Sequence, residues 1–161
     1  MNSTADLIRA SLLSTRKELA EVFPHLSDEI LPWAPAEGMR TIKGQINEII
    51  GTEIQIMDRL LGKPRHPYSK IEQDLDSLYT VKGLLEMLAK VREETLQFLD
   101  SRTEEELSAQ IEVSADTASY MELEHVPLSE MIRYLVRHES YHTGQLVSYL
   151  WAKGNNPYTW D

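Results

Sequence analysis

Hydrophobic residues recur at helical spacing in four long segments of the chain. The segments are residues 3–23, 41–61 and 80–100, and a fourth stretch that begins after Pro127. The first, second and fourth segments end at Pro24, Gly62 and Gly154, respectively. A proline cannot continue a helix, and a glycine favours the left-handed conformation that closes one. The pattern therefore predicts an all-α fold, a four-helix bundle, in a single domain over residues 1–161.

The connections between the predicted helices are long. Those after the first two helices each contain about 15 residues, a length that is uncommon in plain bundles and often shapes a site. The stretch 109–126 alternates weakly between apolar and polar residues. It predicts a short β-hairpin or an irregular excursion before the last helix.

Composition limits the classes of function. The chain has 16 Lys and Arg against 26 Asp and Glu, a formal net charge of -10, and no cysteine. This charge argues against a protein that binds the phosphate backbone of nucleic acids. The missing cysteines exclude disulfides, thiolate metal sites and a cysteine nucleophile. The N-terminus has an acidic residue early and no long apolar stretch, and no segment is long enough for a membrane span, so we expect a cytoplasmic protein.

Two histidines of the last predicted helix are the strongest candidates for chemistry. His138 and His142 are four residues apart, so their imidazoles leave the same face one helical turn apart. This face also includes Leu135 and Tyr149, which indicates that it points to the core. Two stacked imidazoles can hold one divalent cation. With Glu139 they also form the HExxH pattern of zinc proteases, in which the glutamate is the general base.

A stable metal site needs a third ligand, and the second predicted helix is the better source for it. The other histidines of the sequence are His25, His66 and His125. They fall in loops or in the uncertain hairpin, where we expect solvated surface. Glu48 and Glu53 lie among isoleucines, where a carboxylate is costly to bury unless it is paired or metal-bound. Either one can instead face solvent or form a salt bridge. Gly51 suggests close packing against a neighbouring element.

The end of the chain resembles the DinB-like family of metal-binding four-helix bundles. The residues that support the resemblance are His138, His142, Thr143, Gly144, Gln145, Gly154 and Pro157, together with IMDRLLG at the end of the second helix. The resemblance implies a divalent metal ion (zinc, nickel or manganese), a small-molecule substrate and a homodimer. It also implies either hydrolase or small-thiol S-transferase chemistry.

The sequence departs from the family pattern in two places. Thr143 stands where the family usually has arginine, and the second helix lacks the family's third ligand, a histidine. Counting back from the end of that helix places this position at Glu48, with Asn47 as the alternative one residue away. The predicted metal ligands are therefore Glu48, His138 and His142. Asn47 in place of Glu48 would leave a weak or vestigial site.

The resemblance also changes the interpretation of Glu139. Its direction differs from that of His138 by about 100° around the helix, which favours a coincidental HExxH match. Glu139 can still accept a hydrogen bond from an imidazole, and so can Gln145 on the face of His142.

Two functions are therefore expected. One is a metal-dependent hydrolase or thiol transferase, in which the ion activates water or a substrate thiol. The other is a non-catalytic, dimeric binding protein whose metal site is vestigial or serves stability.

Overall fold

The computed structural model describes residues 2–64 and 67–160 and confirms the all-α bundle. The helices are α1 (Thr4–Val22), α2 (Ile42–Leu60), α3 (Tyr68–Asp76), α4 (Val81–Asp100), α5 (Glu104–Ser108), α6 (Ala115–Met121) and α7 (Leu128–Ala152). Two short strands, β1 (Gln110–Glu112) and β2 (His125–Pro127), precede α7. The four long helices agree with the predicted segments to within a residue or two at their described ends. His66, predicted to lie on the surface, falls outside the described residues.

Side-chain caps fix where α1, α2 and α4 begin. Ser3 and Asp6 form a reciprocal capping box at the start of α1. Thr41 and Thr80 accept hydrogen bonds from the first-turn amides of α2 and α4, respectively. Such caps satisfy amides that have no partner within the helix. The helices α1, α2, α4 and α7 then form the bundle, in which α7 packs against α1 and α2.

The long connections contain more structure than predicted. The first holds the 3-10 turns Phe23–His25 and Asp28–Ile30, and the second holds α3, where a polar loop was expected. The loop prediction was wrong because α3 is only nine residues long, and its buried apolar side chains are Ile71 and Leu75. Before α7, β1 and β2 pair antiparallel with Ile111 opposite Val126, which confirms the hairpin. Its connection contains the helix α6.

A layer of four charged side chains, three of them buried and one half-buried, divides the apolar core. Each bundle helix contributes one member of what we call the ion-pair layer: Arg16, Glu53, Arg92 and Glu139. One apolar cluster, with Leu19 and Ile50, lies on one side of this layer, and a second, with Leu12 and Met57, lies on the other. Because every bundle helix is tied to this layer, it sets their rotation and their height relative to one another.

Within residues 2–64 and 67–160, no helix is both long and apolar enough to cross a membrane.

Gly51 allows α3 to approach α2, as the sequence suggested. A Cβ at this position would lie 3.0 Å from the Cε2 and hydroxyl atoms of Tyr68. We expect Gly51→Ala to lower the free energy of unfolding by about 1–2 kcal/mol, because the crowded ring outweighs the gain in helix propensity. Urea denaturation measures the change.

Gly144→Ala is the matched control, because a Cβ there meets no atom within 4 Å. It should stabilise the fold by about 0.5–1 kcal/mol through helix propensity alone. An equal gain in Gly51→Ala would contradict the packing role of Gly51.

Candidate metal centre

The structure brings Glu48, His138 and His142 together. One potential ligand atom of each lies within 4.8 Å of the other two, and the Nε2 atoms of the histidines are 3.2 Å apart. Glu48 comes from the middle of α2 and the histidines from the facing turns of α7. These helices run antiparallel here, since Gln45 contacts His142 while Thr52 contacts His138.

Gln45 orients the imidazole of His142. The Gln45 amide nitrogen donates to the Tyr149 hydroxyl over 2.9 Å, so the amide oxygen faces His142 Nδ1 at 2.6 Å. His142 Nδ1 therefore carries the proton and donates a hydrogen bond to the Gln45 oxygen, which leaves Nε2, 3.2 Å from His138 Nε2, as the acceptor or ligand atom. Such a partner for the second ring nitrogen is usual at metal-binding histidines. Gln45 was not among the predicted site residues, although its place three residues before Glu48 puts it on the same helical face.

His138 is positioned by its neighbours and held neutral. Its Nε2 lies 3.3 Å from the Thr52 hydroxyl, and its ring stacks on that of Tyr134. Burial, with smaller contributions from His142 and Arg40, lowers the pKa of His138 to about 4. Burial also lowers the pKa of His142 below its ordinary value. Both imidazoles are therefore neutral at pH 7, the form that binds metals.

Glu48 has two polar neighbours besides the histidines. Arg40 Nη2 lies 2.7 Å from Glu48 Oε1, and the glutamate side chain is only 14% exposed. Burial, together with the charge of Glu48 and a hydrogen bond to it, raises the pKa of the Tyr68 phenol well above its usual range. Tyr68 therefore stays a hydroxyl that can donate to this carboxylate.

Glu53 and Glu139 do not belong to this cluster. Glu53 accepts hydrogen bonds from Arg92 Nε at 2.8 Å and from Thr95 at 2.7 Å, which bears out the salt-bridge alternative for this residue. Glu139 accepts from Arg16 Nε at 2.6 Å and from Arg92 Nη2. The expectation that Glu139 accepts from an imidazole was therefore wrong. The Glu139 carboxylate is buried, and two arginines compensate its charge. This supports the interpretation that the HExxH pattern occurs here by coincidence.

The ion-pair layer lies directly beside the candidate site. Glu139 follows His138 in α7, and Glu53 follows Thr52 in α2. Burial by itself would lower the pKa of Arg92, but the charges and hydrogen bonds of Glu53 and Glu139 raise it above its ordinary value. Arg92 thus stays charged, and the ion pairs of the layer fix the rotation of both helices that present the candidate ligands.

The remaining candidates have other surroundings. Asn47 is buried, and its Oδ1 lacks a hydrogen-bond partner among the described residues. Thr143, which stands where the family usually has arginine, is also buried. Gln145 donates to the Tyr141 hydroxyl, and the Tyr141 ring packs edge-on to His142.

The two other described histidines lie away from the candidate site. His125 is exposed as expected, whereas His25 stacks on Trp160 with ring centroids 4.1 Å apart.

The donor set is suitable for a divalent metal ion. Two imidazole nitrogens and a carboxylate oxygen suit zinc, and nickel or manganese accept similar ligands. Bonds of about 2.0–2.2 Å in tetrahedral geometry place ligand atoms about 3.4 Å apart. The two Nε2 atoms are already close to this spacing. Rotation of the Glu48 side chain can bring a carboxylate oxygen to the same distance from both nitrogens.

Comparison with known proteins agrees with the fold. An uncharacterised protein from Escherichia coli UTI89 superposes with a TM-score of 0.68 at 14% identity, over 96% of this chain and 95% of that one. A conserved protein from Enterococcus faecalis gives the same TM-score and identity, over 94% and 98%. No curated protein has a sequence that matches this chain significantly. The sequence model of the DinB family matches residues 1–161. The chain therefore belongs to the DinB family.

Proposed function

We propose that the protein binds a divalent metal ion, most simply zinc, through Glu48, His138 and His142. We further propose that it acts on a small molecule as a metal-dependent hydrolase or a small-thiol S-transferase. The observation that supports this proposal is the convergence of three neutral or anionic ligand atoms within 4.8 Å on two facing helices.

The number of ligands favours catalysis over a purely structural role. Structural zinc sites are closed by four protein ligands, whereas catalytic sites keep a position for substrate. An ion held here would supply Lewis acidity to a carbonyl or thiol group of the substrate. The chain's own residues do the positioning: Gln45 holds the His142 tautomer, and Thr52 lies beside His138 Nε2.

The small-molecule substrate that we propose would occupy a cavity about two helical turns from the candidate ligands, none of which lines it. The cavity has a volume of about 210 Å³ and lies between α2, α3, α7 and the hairpin. Its wall includes Gln55, one turn beyond Thr52, and Met131, two turns before His138. Ile71 and Ile111 form an apolar part of the wall, and Asp58 and Arg59 add charged groups. Such a mixed lining is usual for ligand pockets.

The test is a screen of thiol conjugates and small amides with untagged, zinc-loaded protein. We expect zinc-dependent turnover that falls by more than about 100-fold in His142→Ala, because the ion loses a ligand. His125→Ala removes an exposed histidine from β2 and should leave turnover unchanged. Turnover that survives in His142→Ala would exclude the metal mechanism.

A non-catalytic dimeric bundle is the second candidate. The rings of Tyr141, Trp151 and Tyr158 are exposed on α7 and on the turn that follows it, where a second copy of the chain can cover them. Sedimentation equilibrium of the wild type and of Trp151→Ser tests this assembly. A monomeric wild type at micromolar concentration would rule it out.

A further inference from the structure

Arg40 lies at the edge of the candidate metal centre. It directly precedes Thr41, the N-cap of α2. Its side chain starts beside Gly44, where a Cβ would lie 3.4 Å from the Arg40 Cβ, and it ends at Glu48. The arginine side chain is 56% exposed, while that of Glu48 is 14% exposed. The guanidinium therefore covers a mostly buried carboxylate from the solvent side.

The charges around this pair do not balance once a divalent ion is present. Glu48 is the one carboxylate in the candidate ligand cluster of the described residues. An imidazole that binds an ion does so in its neutral form, and the carboxylates of Glu53 and Glu139 are already matched by Arg16 and Arg92. An ion on Glu48 would leave one positive charge uncompensated, and Arg40 would add a second at the exposed face.

We propose that Arg40 makes this centre selective for an anionic substrate. In this account, which rests on the proposed metal site, Arg40 pairs with Glu48 until the ion binds. The released guanidinium then binds a carboxylate or another oxyanion of the substrate beside the ion. A guanidinium suits this role because its planar, permanently charged fork matches the two oxygens of a carboxylate.

The proposal has two consequences that do not depend on turnover. Arg40 competes with the ion for Glu48 and repels it, so Arg40→Met should bind zinc about tenfold more tightly than the wild type. The same change removes the partner of the anion. Zinc-loaded Arg40→Met should therefore bind acetate about tenfold more weakly, while its affinity for neutral acetamide stays the same.

The experiment is isothermal titration of untagged protein with zinc chloride, followed by titration of the zinc-loaded protein with acetate and acetamide. Arg9→Met is the matched control, because Arg9 is also a partly exposed arginine paired with a carboxylate, Asp100, away from the candidate ligands. It removes the same charge and should change neither zinc nor acetate affinity.

The outcomes separate this inference from the metal site itself. Zinc that binds wild type and Arg40→Met equally, with unchanged acetate affinity, would overturn the role of Arg40 and leave the metal site intact. Tighter zinc binding with unchanged acetate affinity would make Arg40 a competitor of the ion only, which also overturns anion recognition. If zinc binds neither protein, the metal site and this inference both fail.

Discussion

Replacing Arg92 with methionine is expected to lower the free energy of unfolding by about 3–5 kcal/mol. Arg92 binds Glu53 and Glu139 and also donates to the Leu12 carbonyl at 2.6 Å. Its loss leaves two buried carboxylates with Arg16 as their sole remaining cation in the ion-pair layer. Breaking a buried ion pair on one side is costly because the remaining charge is neither hydrated nor compensated. Chemical denaturation of the purified variants measures the change.

Two further variants make this prediction specific. Arg102→Met removes an arginine that pairs with Glu106 near the surface, and it should cost no more than about 1 kcal/mol. The double variant Arg92→Met and Glu53→Met restores the charge balance and should recover part of the lost stability. A single Arg92→Met variant as stable as Arg102→Met would show that the layer does not hold the helices together.

Glu48→Ala is expected to weaken zinc binding by about 100-fold or more, because it removes one of three ligands and the only anionic one. The removal of Glu48 costs the fold little, because Arg40, the charge that is left unpaired, is exposed and stays hydrated. Competition with a chromophoric chelator measures the affinity, and circular dichroism checks the fold.

Asn47→Ala is the control for the alternative third ligand. Asn47 is adjacent to Glu48 but about 100° away around α2, so we expect its removal to leave zinc affinity within a factor of about two. The reverse result, with unchanged affinity in Glu48→Ala and a large loss in Asn47→Ala, would assign the third position to Asn47.

The bundle could be predicted because its signals are local. Apolar spacing over about twenty residues, with proline and glycine stops, defined the four long helices to within a residue or two. The helix α3 gave no such signal, since two buried apolar side chains over nine residues do not establish a period. Its packing depends on Tyr68 meeting Gly51 of α2, a contact between distant parts of the sequence.

The candidate site was predictable only in part for the same reason. His138 and His142 share one helix, so their spacing was enough to pair them. Glu48 needed the family resemblance, because nothing local distinguishes it from Glu53. The structure separates the two glutamates: Glu53 meets Arg16 and Arg92 from other helices, and Glu48 faces the histidines. Arg40 lies outside the predicted helices, and sequence spacing gave no reason to place it at the site.

X-ray absorption spectroscopy of untagged, zinc-loaded protein shows whether Glu48, His138 and His142 hold one divalent ion. We expect one zinc per chain with two imidazole nitrogens and at least one oxygen ligand at about 2.0–2.2 Å, and loss of the imidazole signal in the His138→Ala, His142→Ala double variant. A protein that retains no zinc, or a zinc shell without imidazole, would contradict the proposed metal site.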